Sequence, residues 1–303
     1  MAGPVLAILG PTGIGKTAVA VEVCRAHQGE IISIDSRQVF RGIEVASNAP
    51  TADELGGVRC HLVGVLDPGA RIDAARYTAL ARPLLAQLRI DGTLAALTAG
   101  TGMYLKALLD DLPLGGVTPE PAARARLETR AAANLPSLVD ELRGLDPAAA
   151  ARIDSRNPAR VVRAVELARA RAAAAVPKAT PRPIAAIKVG LTAPREALYA
   201  AIDARVDRML ERGWREEVER LLAEGVDPRR QAFSGIGVAE MAEVIDGRTS
   251  LEAARAAIAQ RTRNYAKRQL TWFRAEGGVT WFDVTVLTVS DIVERISKML
   301  AVR

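Results

Sequence analysis

The run Gly10-Pro11-Thr12-Gly13-Ile14-Gly15-Lys16-Thr17 constrains this chain more than any other stretch. It follows the apolar segment Val5–Leu9 and leads into Ala18-Val19-Ala20-Val21-Glu22-Val23, a helical pattern. Strand, glycine-rich turn and helix start are the setting that a G-x-x-x-x-G-K-[ST] phosphate loop requires. The glycines let the backbone curl until successive N–H groups point at one anion, and the helix N-terminus adds its partial positive charge. All eight residues, Gly10 to Thr17, are therefore expected to bind phosphate. Lys16 would reach the terminal phosphates, and the Thr17 hydroxyl is the expected ligand for Mg²⁺.

Behind the loop, strand and helix patterns alternate. Glu30–Ile34 reads as a second strand ending at Asp35-Ser36, and His61–Leu66 as a third. A helix follows from Asp73 to Leu88, then a strand over Leu94–Thr98 that runs through Ala99-Gly100-Thr101-Gly102 into another helix. This alternation predicts an α/β fold, a P-loop NTPase-like core with a parallel sheet flanked by helices. The rhythm breaks at Pro113-Leu114-Gly115-Gly116. From there to Arg156 only short helical patterns occur (Ala122–Ala133, Ser137–Arg143), which predicts a small all-helical insertion. The division expected is a first core part over 1–112, the insertion over 113–156 and a second core part over 157–303. In that last part Asn157-Pro158 opens a helix to Ala175, Pro177–Pro183 reads as a linker, and Ile184–Leu191 returns as a strand. Helices over Pro194–Arg212, Trp214–Glu224 and Ser250–Arg274, a strand over Val279–Phe282 and a helix over Ser290–Met299 complete the pattern.

In an open parallel sheet the ligand lies beyond the carboxyl ends of the strands. Asp35 thus faces the crevice of the phosphate loop, although a strand-end turn would also account for an aspartate there. The Leu94–Thr98 strand ends without a carboxylate. The second acid that phosphoryl-transfer enzymes of this class use to hold Mg²⁺ is therefore missing. Arg205 falls about 70° from the centre of the apolar stripe Leu198, Ile202, Val206, Met209, Leu210. There it either lays its stem over the core or turns its guanidinium onto a phosphate. The segment from Arg261 to Arg274 holds five basic residues and no acid. On a helix, Arg263, Lys267 and Arg274 share one stripe, and Tyr265, Gln269 and Trp272 another. That combination favours a polynucleotide over a core-facing aromatic edge with a solvated back.

Composition agrees without deciding. The net charge is +6 and 35 of the 41 basic residues are arginine, which favours a polyanionic partner. Two cysteines, Cys24 and Cys60, are too few for a disulfide framework. Cys60 and His61, being adjacent, do not easily face one metal ion. A lead-in too short for a signal peptide and no apolar run of membrane length make a cytoplasmic, soluble protein the expectation.

Several blocks together resemble the tRNA dimethylallyltransferases, the isopentenyltransferase (IPP transferase) family. They are the loop Gly10–Thr17, Ile34-Asp35-Ser36-Arg37-Gln38-Val39-Phe40-Arg41-Gly42, Ala99-Gly100-Thr101-Gly102-Met103-Tyr104, Asn157–Glu166, Ile202–Leu210 and Tyr265–Arg274. Their order and spacing match over nearly the whole chain. The resemblance implies transfer of a dimethylallyl group from dimethylallyl diphosphate to N6 of the adenosine 3′ of the anticodon, adenosine 37. In it Asp35 matches the general base, Thr101 a residue lining the reaction channel and Arg205 a diphosphate ligand. It also implies contacts to the tRNA anticodon stem-loop from Asp35, Ser36, Arg37, Gln38, Arg160, Arg163, Lys267, Arg268, Gln269, Trp272 and Arg274. Mg²⁺ is the implied cofactor, and a monomer with no protein partner is expected. The missing second acid fits, because the loop would hold a prenyl diphosphate with no phosphoryl group to move. The family pattern is replaced at Phe40, Ala49, Cys60, Ala99, Val238 and Ala239. At Ala49 and Val238-Ala239 the lost residues are RNA-contacting types. Two other readings are a small-molecule P-loop kinase, in which Asp35 would deprotonate a hydroxyl, and an RNA-binding NTPase module without chemistry.

Overall fold

Every residue of β1 (Val5–Leu9) is buried, and successive side chains enter different cores. Val5, Ala7 and Leu9 pack on one face of the sheet, Leu6 and Ile8 on the other. This is the period-two burial of a strand covered by helices on both sides. The computed structural model describes residues 3–112, 120–173, 182–227 and 230–302. In chain order β1 is followed by α1 (Lys16–His27), β2 (Glu30–Ile34), α2 (Ala52–Leu55), β3 (Cys60–His61), α3 (Ala74–Ile90), β4 (Ala95–Ala99) and α4 (Gly102–Leu109). Three helices come next, α5 (Pro121–Leu145), α6 (Pro147–Arg152) and α7 (Pro158–Ala173). The chain returns through β5 (Ile187–Thr192), α8 (Arg195–Glu211), α9 (Trp214–Ala223), α10 (Val238–Ile245), α11 (Leu251–Arg274), β6 (Val279–Asp283) and α12 (Val289–Ala301).

The six strands form one parallel sheet in the order β3-β2-β4-β1-β5-β6. Its register positions the site. Leu9 and Ile34 both pair with Ala99, so Gly10, Asp35 and Gly100, the next residue in each strand, emerge level at the carboxyl edge. The third strand is shorter than its apolar run suggests. Leu62 has φ 63°, which ends pairing after His61, and Leu66 makes an isolated parallel bridge to Phe40 outside the sheet.

The chain divides into two compact units, Met1–Leu112 with Pro183–Arg303, and Pro113–Arg182. The inserted unit therefore runs past the expected boundary at 156 and includes α7. The reason is apolar. Val161, Val162 and Val165 of α7 share a core with Leu127, Leu138 and Leu142 of α5. Within α5, Asn134 leaves the helical region (φ −155°, ψ 82°), so the span is two helices meeting at a kink before Pro136, in agreement with the separate patterns Ala122–Ala133 and Ser137–Arg143. The proline-glycine break from Pro113 and most of the Pro177–Pro183 linker lie outside the described residues. The missed α10 begins at Val238, which is buried with Met241 under Trp214 and its neighbours. Among the described residues no helix is long and apolar enough to cross a membrane.

Candidate active site

Three glycines with positive φ shape the loop after β1: Gly10 (150°), Gly13 (84°) and Gly15 (92°). A side chain on Gly10 would lie 2.8 Å from the Leu191 carbonyl oxygen, so this position is closed by β5 as well as by conformation. α1 starts at Lys16 directly behind Gly15, leaving the helix N-terminus open to an anion. Lys16 Nζ donates to the Gly10 and Pro11 carbonyls at 2.8 Å each. Burial, reinforced by the charge of Arg205 and partly opposed by Asp35, brings its pKa down to about 7. The loop is also fixed from far along the chain, where the Thr12 N–H donates to Gln269 Oε1 at 2.8 Å.

Arg205 resolves in favour of the cleft. A side chain on Gly13 would meet Ile202 Cγ1 at 3.1 Å, so α8 packs directly on the phosphate loop. Three residues further on, Arg205 lines the cleft beside Lys16 and Thr17. Among the described residues it has no carboxylate partner. Burial lowers its pKa to about 10, with Asp35 opposing, so it stays charged at neutral pH. The helix is held in place by two other acids, Asp203 with Arg263 and Asp207 with Arg255 of α11.

Asp35 uses one oxygen for structure and leaves the other free. Its Oδ1 accepts from the Arg37 N–H at 2.7 Å and the Gln38 N–H at 3.3 Å. Oδ2 accepts no hydrogen bond among the described residues, and a side chain on Gly100 would come within 2.7 Å of it. Thr101 Oγ1 accepts from the Ser36 N–H at 3.2 Å and so ties the end of β4 to the end of β2. The whole cleft has a volume of about 660 Å³. Among the described residues, Lys16, Arg37, Arg205, Arg208, Arg261 and Arg268 line it against two carboxylates, Asp35 and Glu54. Such a lining suits an anion, with an oxygen of Asp35 beside it.

The stripe Tyr265, Gln269, Trp272 faces the protein. Gln269 is buried, with its Oε1 on the loop and its Nε2 donating to the Gly100 carbonyl at 2.7 Å. Both ends of its amide are engaged inside the protein, and Gln269 lines the cleft from there. Tyr265 also reaches the Gly100 carbonyl, at 3.3 Å, and burial followed by the charge of Asp35 pushes its pKa up to about 12. Trp272 presses on Gly102, where an added side chain would lie 2.1 Å from the indole ring, yet it remains 37% exposed. The glycines of Ala99-Gly100-Thr101-Gly102 thus admit α11 and Asp35. Sequence reading missed this role of Tyr265 and Gln269, although their four-residue spacing on a helix carried the signal.

The basic stripe divides in the same way. Arg261 pairs with Glu240 and Arg263 with Asp203. Lys267, Arg268 and Arg274 are exposed with no carboxylate partner among the described residues. Gln38 sits inside the loop wall, where it accepts from Ser33 Oγ at 2.6 Å and donates to the Asn48 carbonyl at 2.9 Å. The Arg37 guanidinium donates to the Gln231 carbonyl. In the inserted unit Arg160 is exposed, while Arg163 donates to Glu166 at 3.1 Å. Ala49 and Val238 are buried at 2% and 4%, so no surface group replaces the family's polar residues at those two positions.

Thr17 and Asp35 line the cleft together. Among the described residues no group of three His, Cys, Asp or Glu could hold a metal ion. Mg²⁺ usually keeps several waters and takes one or two protein oxygens plus phosphates, so this donor set fits an ion carried by a diphosphate.

The lowered pKa of Lys16 has a measurable consequence. Between about 7 and its usual 10.5 the unfolded chain holds this proton and the folded protein does not. The ligand-free protein therefore gains stability from this group as pH rises through that window. An anion in the loop reverses the preference. Inorganic diphosphate binding at pH 8 should take up about one proton more than in Lys16→Met, with the difference gone at pH 6. Calorimetry in buffers of different ionisation enthalpy measures it, and equal uptake by the two proteins would show that Lys16 is already charged.

Comparison with known proteins gives one consistent match. The family model described as IPP transferase matches residues 38–276. A tRNA dimethylallyltransferase of Thermomicrobium roseum is 40% identical over 287 residues, covering 93% of this chain and 87% of that protein. Among solved structures, the full-length tRNA isopentenylpyrophosphate transferase of Bacillus halodurans superposes with a TM-score of 0.73 at 36% identity. That match covers 98% of this chain and 97% of the other. A eukaryotic dimethylallyltransferase acting on tRNA, 21% identical over 97% of this chain and 78% of its own, has a TM-score of 0.79 and shares the fold.

Proposed function

The chain belongs to the IPP transferase family, and we propose that it transfers a dimethylallyl group from dimethylallyl diphosphate to N6 of adenosine 37 in tRNA, releasing diphosphate. The observation that carries this reading is the pairing of an unpartnered Arg205 and the phosphate loop with the free oxygen of Asp35 in one cleft. The target adenine leaves its stack to enter the cleft, as bases do when chemistry is performed on them. N6 attacks the allylic carbon while the carbon–oxygen bond to diphosphate loosens. Asp35 Oδ2 takes the N6 proton. Lys16, Arg205 and the N–H groups of the loop stabilise the departing diphosphate. Thr17 is the residue that would hold Mg²⁺ against the donor, where the ion supplies charge neutralisation of the phosphates. The missing acid after β4 supports this reading over a kinase. Diphosphate release from dimethylallyl diphosphate should require unmodified tRNA, and ATP should remain intact under the same conditions. Hydrolysis of ATP without tRNA, at a rate matching a kinase, would reject it.

Ser36, Arg37, Arg160, Arg163 and the exposed part of α11 are the proposed tRNA contacts. Lys267, Arg268 and Arg274, with the exposed edge of Trp272, supply backbone neutralisation beside a stacking surface. Changing Lys267 and Arg268 to Ala should reduce the slope of log affinity for tRNA against log salt by about 1.5, close to two lost phosphate contacts. Arg268 also lines the cleft, so the control is Lys267→Ala alone, in which affinity for inorganic diphosphate should not change. An unaltered slope would move the RNA surface elsewhere. The protein is proposed to act as a monomer in the cytoplasm.

A further inference from the structure

Glu217 is a buried carboxylate that this chemistry does not use. It lies on α9, and its two oxygens accept from the main-chain N–H groups of Val45 at 2.8 Å and Ala46 at 2.7 Å. What it holds is the loop between Gly42 and Pro50. The far end of that loop is tied separately, by Gln38 Nε2 on the Asn48 carbonyl and by Arg212 on the Ala49 carbonyl at 3.4 Å. Between the two ties, Ala46, Ser47 and Asn48 line the cleft.

They share it with Val206, Met209 and Trp214, all at least 97% buried. The order along α8 gives this apolar set a direction. Ile202 touches the phosphate loop at Gly13, and at 1.5 Å per residue Met209 lies about 10 Å further along the helix. Arg205 and Val206 fall between them. Past Arg205 the lining on α8 is Val206, Arg208 and Met209, so an apolar wall with Arg208 set into it follows the anion-binding end, and a prenyl diphosphate likewise runs from charged head to apolar tail.

We propose that Glu217 is the positioning residue that sets donor length: by clamping Val45 and Ala46 it holds the loop wall against an apolar chamber of Ala46, Val206, Met209 and Trp214 sized for a five-carbon chain. The proposal rests on the transfer reading above. A glutamine at 217 has one acceptor oxygen, and its NH₂ would face a main-chain N–H, leaving a buried donor without a partner. The wall should then loosen while the phosphate loop stays as it is.

The test compares kcat/KM for dimethylallyl and geranyl diphosphate on one tRNA. In folded Glu217→Gln the preference for the shorter donor should fall about tenfold, through a higher KM for dimethylallyl diphosphate, with tRNA and inorganic diphosphate affinities unchanged. Glu217→Asp should fall between the two. Should Glu217→Gln not fold, Met209→Ala opens the chamber from α8 and should also improve use of the geranyl donor. A discrimination ratio equal to wild type in either folded variant overturns the proposal, as does a loss confined to kcat. A wild type inactive with both donors removes the transfer reading and this proposal with it. An active wild type with an unmoved ratio in the variants removes this proposal alone.

Discussion

Asp35→Asn is expected to lower single-turnover prenyl transfer by about 100-fold or more, the scale of a lost general base, with the fold intact. The two main-chain donors at Arg37 and Gln38 decide how the new amide sits. They require an acceptor at the Oδ1 position, so the carboxamide oxygen goes there. Its NH₂ then takes the place of Oδ2 beside Gly100, a donor where the reaction needs an acceptor. Losing the Asp35 charge also removes the group that raises the Lys16 pKa, so donor binding should weaken at pH 8 more than at pH 6. Rapid quench with saturating tRNA measures the chemical step, and a near-normal rate would take Asp35 out of the mechanism.

Arg205→Ala should add about 2–4 kcal/mol to the barrier for transfer, the range for removing a preorganised donor to developing negative charge. As the carbon–oxygen bond breaks, charge accumulates on the leaving diphosphate, so the contribution of Arg205 grows toward the transition state. Its loss should lower kcat beyond raising KM. Arg205→Lys should recover only part, because an ammonium cannot reproduce the guanidinium fork. If the stem merely packed over the core, Arg205→Met would restore both stability and rate. Kinetics and melting of the three variants separate these cases, and a stable, fully active Arg205→Met protein would contradict the clamp.

The parts of this molecule legible in the sequence are those whose signals are local. The loop Gly10–Thr17 declares its strand, turn and helix within fifteen residues, and Asp35 follows from being one residue past an apolar run. What was not legible depends on partners far along the chain. The shoulder position of Arg205 admitted two readings, and only the contact of Ile202 with Gly13 turns it toward the anion site. Gln269 reads from the sequence as one member of a stripe with Tyr265 and Trp272, and the partners it bridges, Thr12 and Gly100, 257 and 169 residues away, have no local signal. The boundary of the inserted unit failed for the same reason. Asn157-Pro158 marks where α7 begins, whereas its membership follows from Val161 and Val165 meeting Leu127 and Leu142.

The central claim is that the anion loop and the free oxygen of Asp35 serve one reaction, joining a five-carbon group to an adenine of tRNA. Nucleoside masses of an unmodified tRNA, taken after incubation with the protein, Mg²⁺ and dimethylallyl diphosphate, test it most directly. The account predicts one adenosine per tRNA, next to the anticodon on its 3′ side, carrying a dimethylallyl group in place of an N6 hydrogen. An unchanged set of masses, with the protein folded and tRNA bound, would contradict it.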